Sequence, residues 1–105
     1  MAGTLNKKVL IVEDEAPLRN AVSDILIFEG FTIFQAKNGQ EGLDIAFKEH
    51  PDLILLDLMM PVMDGLTMLE KLRQDKEWGK DVAVILLTNI SAPEKIAQAT
   101  EAGSY

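Results

Sequence analysis

Three unbroken aliphatic runs, spaced along a chain of otherwise amphipathic character, limit this sequence to few folds. Val9-Leu10-Ile11-Val12, Leu53-Ile54-Leu55-Leu56 and Val82-Ala83-Val84-Ile85-Leu86-Leu87 show no polar alternation. Such runs suit strands covered on both faces. From Glu15 to Glu29 the pattern is helical instead, with Leu18, Val22, Ile25 and Leu26 spaced by three and four. Asp14 is placed to cap that helix, Pro17 fits its first turn and Gly30 ends it. Phe31 to Ala36 reads as a further strand and Lys37-Asn38-Gly39 as a turn. Leu43, Ile45, Ala46 and Phe47 mark a second helix that Pro51 ends, and Gly65 to Gln74 forms a third. Ser91-Ala92-Pro93-Glu94 is a capping box opening a fourth helix, which Gly103 stops. The order is βα four times, which predicts a doubly wound α/β fold with a parallel sheet between helices. Chemistry in such folds collects at the carboxyl ends of the strands.

Composition narrows the function. The 105 residues allow one domain, spanning residues 7–105 after a loose segment at 1–6. Ten basic against seventeen acidic residues give a net charge of −7, a field that repels nucleic acid and anionic membranes. The absence of cysteine excludes disulfides, thiolate zinc sites and cysteine nucleophiles. No apolar run reaches the roughly 20 residues of a membrane span, and no signal peptide opens the chain. The expectation is a soluble cytoplasmic domain that binds neither nucleic acid directly nor membrane.

The first strand runs into Glu13, Asp14 and Glu15, the third into Asp57 and the fourth into Thr88. With strands one and three adjacent, Glu13, Asp14 and Asp57 converge on one pocket. Three carboxylates so close repel one another unless a cation neutralises them. An all-oxygen donor set favours a hard cation, magnesium before zinc. Beside such a cation, an aspartate at a strand end can attack phosphorus, with the Thr88 hydroxyl donating to a phosphoryl oxygen. Taken singly, Glu13 and Asp14 are helix-capping residues and Asp57 a turn residue; the constellation carries the signal.

These residues resemble the receiver domain of two-component response regulators. The resemblance rests on Val9-Leu-Ile-Val-Glu-Asp-Glu15, Pro51-Asp-Leu-Ile-Leu-Leu-Asp-Leu-Met-Met-Pro-Val-Met-Asp-Gly65, Val84-Ile-Leu-Leu-Thr88 and Glu101-Ala-Gly103. It implies a flavodoxin-like sheet of order 2-1-3-4, being (βα)4 of an expected (βα)5. It implies that Asp57 accepts a phosphoryl group from a sensor histidine kinase or phosphotransfer protein, and that Asp14, Asp57 and the Met59 carbonyl ligate Mg2+, with Glu13 acting through water. Thr88 would contact the phosphoryl group and act as the switch, while Pro61 and Gly65 shape the loop. The domain would accept a phosphoryl group and slowly lose it, without being an enzyme in the ordinary sense.

Departures from the family pattern carry expectations of their own. Asn89 stands where the family has a very small residue, which crowds the phosphoryl site or alters the swing of Thr88. Met59 and Ile90 occupy the positions that tune hydrolysis; apolar side chains there position water poorly and predict a long-lived phosphoryl state. The family continues into a fifth strand bearing a lysine and a fifth helix. These are missing from the 105 residues, so no switch lysine is assigned. A chain ending there would expose the fourth strand as an edge, and a homo-oligomer through that edge is expected. The alternative function is such a self-associating, non-signalling fragment. An aspartyl phosphatase fits less well, because the second aspartate of that chemistry is replaced by Met59, and no glycine-rich loop follows strand one for a nucleotide.

His50, the only histidine, reads as a surface residue at the end of a helix, and Met59, Met60, Met63 and Met68 as packing residues. Trp78 reads either as an exposed contact or as a cover for the sheet end.

Overall fold

The computed structural model describes residues 7–58, 60, 63–87 and 103. Its elements are β1 (Lys8–Val12), α1 (Ala16–Phe28), β2 (Thr32–Ala36), α2 (Gly39–Glu49), β3 (Leu53–Asp57), α3 (Gly65–Arg73) and β4 (Ala83–Leu87). The strands form one parallel sheet of order β2-β1-β3-β4, the flavodoxin-like order expected. The segments 1–6 and 91–102 lie outside the described residues, and with them the fourth helix.

Val9 to Val12 of β1 are buried on both sides, whereas β3 and β4 bury one face fully and the other only in part, with Leu53, Leu55 and Ala83 half-buried and Ile85 exposed. Leu10, Val12, Ile54, Leu56, Val84 and Leu86 face a cluster completed by Leu43 and Ala46 of α2 and Met68, Leu69 and Leu72 of α3. Val9 and Ile11, on the opposite face, are equally buried, and α1 packs over β1 and β2. Each such side chain contributes about 1.5–3 kcal/mol of burial free energy.

Helix ends follow local chemistry, with two corrections. Asp14 does not cap α1. The N-cap residue is Glu15, which makes no side-chain capping bond, and the Asp14 carboxylate belongs to the pocket described below. Gly39 is not a turn residue but the first residue of α2, because the Asn38 side chain accepts from the Glu41 amide at 2.9 Å and starts the helix there. Gly30 ends α1 at a φ of 101°, a left-handed conformation that favours glycine. His50 closes α2, also left-handed. Its ring is exposed and stacks on Trp78, with centroids 4.5 Å apart, and Phe47 meets Trp78 edge-on at 6.0 Å. Trp78 therefore covers the amino end of the sheet. Met60 and Met68 are buried, and Met63 packs against the core.

The apolar stripe of α1 is only half covered. Leu18 is 45% exposed, Ile25 64% and Phe28 89%, and on β4 Ile85 is 44% exposed. Among the described residues, nothing packs over this face beside α1.

Candidate functional site: an acidic pocket at the sheet's carboxyl edge

Register builds the pocket. Val12 pairs with Leu56 across β1 and β3, so the next residues, Glu13 and Asp57, stand at one level at the carboxyl edge. Asp14 follows one residue later, where the chain leaves the sheet for α1. Carboxylate oxygens of Glu13, Asp14 and Asp57 all lie within 4.8 Å of one another. The three residues named from the sequence are thus brought together. Met59, Pro61, Thr88 and Ile90 lie outside the described residues.

Glu13 and Asp57 are buried, while Asp14 is partly open to solvent. Burial pushes the Glu13 carboxyl up to about 7, helped by hydrogen bonds that its protonated form donates to the Asp14 and Asp57 carboxylates and by the Asp57 charge, and opposed by the Glu15 amide. That amide donates to Glu13 Oε2 at 3.0 Å. A proton on Glu13 thus relieves a repulsion that a cation would relieve instead. Three hard oxygen donors at one solvent-open corner fit a divalent cation that keeps several waters.

The pocket floor is fixed by backbone. The Gly65 amide donates to the Leu58 carbonyl at 3.1 Å. A Cβ on Gly65 would sit 2.2 Å from the Asp57 carbonyl oxygen, so no larger residue fits without moving the acidic strand end. The loop-shaping role expected of Gly65 thus has a steric basis. The Gly39 amide donates to the Met63 carbonyl at 3.0 Å, tying the start of α2 to the loop after β3.

Sequence reading passed over Arg19. Its Nη1 donates to the Glu13 main-chain carbonyl at 2.8 Å, which places a first-turn arginine of α1 on the strand end that bears two of the three carboxylates. An arginine five residues after an acidic strand end was the only signal available.

Comparison with known proteins agrees with this geometry. The family described as response regulator receiver domain matches residues 9–105. Sporulation initiation phosphotransferase F of Bacillus subtilis is 37% identical over 100 residues, which cover 95% of this chain and 78% of that protein. A probable transcriptional regulator, ycf27 of Porphyridium aerugineum, is 39% identical over 85 residues, but the match spans only 34% of its length. Among solved structures, the chemotaxis protein CheY4 of Vibrio cholerae superposes with a TM-score of 0.86 at 32% identity, covering 94% of this chain and 82% of that one. No helix among the described residues is long and apolar enough to cross a membrane. By its match over nearly the whole sequence, by these relatives and by its sheet order, the chain belongs to the receiver domain family of two-component response regulators.

Proposed function

We propose that the chain is a phosphoryl-accepting signalling module in which Asp57 is the acceptor. The observation that carries the reading is the convergence of Glu13, Asp14 and Asp57 within 4.8 Å at the carboxyl edge of the sheet. An Asp57 carboxylate oxygen forms the new O–P bond as the N–P bond of a phosphohistidine on the donor breaks, and the imidazole leaves with its electron pair. The donor is a sensor histidine kinase or phosphotransfer protein, a reading supported by 37% identity to a protein named as a phosphotransferase. Asp14 and Asp57 would hold Mg2+, with the Met59 carbonyl and, through water, Glu13. Bound there, the cation screens the repulsion between the carboxylate and the incoming phosphoryl oxygens. Thr88 would donate its hydroxyl to a phosphoryl oxygen and carry the change to the surface. The domain turns over no separate substrate: it takes one phosphoryl group and loses it slowly. The reading places it in the cytoplasm, where ATP charges such kinases.

Intact mass after incubation with Mg2+ and acetyl phosphate tests this. One phosphoryl addition is expected, absent from Asp57→Asn. A folded wild-type protein that gains none would overturn the proposal. Because Met59 and Ile90 are apolar, the adduct should outlast the time needed to remove the donor; complete loss within seconds would refute that part.

A further inference from the structure

We propose that Arg19 is a positioning residue for the acidic pocket, its guanidinium fixing the Glu13–Asp14 peptide and thereby aiming the Asp14 carboxylate at a bound divalent cation. The inference rests on the Mg2+ reading above. Among the described residues, few other restraints act on the segment from Glu13 to Glu15 as it leaves the sheet. The Glu13 amide donates to the Ala36 carbonyl at 3.0 Å, and the Glu15 amide donates to the Glu13 carboxylate at 3.0 Å. Among the described residues no backbone amide donates to the Glu13 carbonyl, and Arg19 Nη1 donates to it at 2.8 Å. That bond sets the rotation of the peptide joining Glu13 to Asp14, and so the direction in which Asp14 leaves the chain. Glu15 cannot do this from the helix end, since it makes no side-chain cap.

Arg19 is anchored from behind. Ser23 Oγ donates to the Arg19 carbonyl at 2.7 Å, and Gln35 Nε2 donates to Ser23 Oγ at 2.6 Å and to Asn20 Oδ1 at 3.1 Å. The first turns of α1 are thereby tied to β2 at the flank of the pocket. A positive charge next to a cation site opposes cation binding, so the benefit of an arginine there lies in the geometry of its hydrogen bond. Groups that orient metal ligands typically change metal affinity about 10–100-fold when removed.

Isothermal titration of the metal-free protein with Mg2+ tests the inference. Arg19→Met should weaken binding about tenfold, and Arg19→Lys, which keeps one donor, should recover part of the loss. A urea transition recorded in chelator establishes that each variant is folded. Should Arg19→Met not fold, Arg19→Gln against Arg19→Lys carries the same comparison. Unchanged affinity in the neutral variant would overturn the inference. So would tighter binding, the result expected if Arg19 acted only as a nearby charge. Wild-type protein that takes up no Mg2+ would remove the metal reading and this inference together, whereas normal wild-type binding matched by Arg19→Met removes the inference alone.

Discussion

Metal-free protein should lose stability as the pH is raised from about 4.5 to about 7, and Glu13 sets the amount. The unfolded chain releases the Glu13 proton near 4.5, whereas in the folded pocket burial and the neighbouring Asp14 and Asp57 hold it to about 7. Between those values the unfolded state binds fewer protons than the folded one, so stability falls with rising pH and is level again above the window. At about 1.4 kcal/mol per pH unit, the whole gap corresponds to about 3 kcal/mol. Solvent reaches the pocket on the Asp14 side and screens part of this, leaving about 2 kcal/mol. Urea denaturation in chelator, for wild type and Glu13→Gln at several pH values across the window, measures it. Wild type should lose about 2 kcal/mol relative to the variant by pH 7, because glutamine has no proton to release. Parallel profiles for the two proteins would show that the folded pocket does not hold the Glu13 proton, and the account of its electrostatics would be wrong.

Other expectations follow from the same geometry. Gly65→Ala forces a Cβ to within 2.2 Å of the Asp57 carbonyl and should cost about 1–3 kcal/mol in urea denaturation, with acetyl phosphate labelling of Asp57 lost in parallel; wild-type stability would contradict the steric reading. Mg2+ at about a hundred times its Kd should stabilise the folded protein by about 2.7 kcal/mol, and Asp14→Asn should remove most of that increment in a thermal melt. The fourth strand carries Ile85, 44% exposed, beside the open stripe of α1. Light scattering should therefore detect concentration-dependent association that Ile85→Lys reduces, and a monomer at every concentration would count against it.

Much of the fold was legible because β1, β3 and β4 lack polar alternation and announce themselves as aliphatic runs, although only β1 is fully buried on both faces and β4 leaves Ile85 exposed. Glu13 and Asp57 were legible for the same reason, as charges that terminate such runs. Asp14 was read correctly as a pocket residue and wrongly as a cap, since an aspartate before a helical pattern is compatible with both and only the backbone path decides. The Lys37-Asn38-Gly39 turn was misplaced because asparagine favours turns and N-caps alike. Arg19 escaped notice because a first-turn arginine ordinarily belongs to a solvated helix face; its bond to Glu13 depends on how the chain bends between β1 and α1. Periodicity identified the stripe of Leu18 and Ile25 but carries no information about what lies opposite it.

The stacking of Trp78 on His50 decides what light can report about this protein. The single tryptophan sits at the amino end of the sheet, against residues that precede β3 and β4, while Asp57 closes β3 at the other end. Five residues of strand span about 17 Å. Intrinsic emission is therefore an optical gauge of whether the base of the sheet is assembled, and ligands entering the far corner should leave its colour unchanged. Spectroscopy of the pocket itself calls for a second fluorophore, placed near the loop after β3, read against Trp78 as an internal standard.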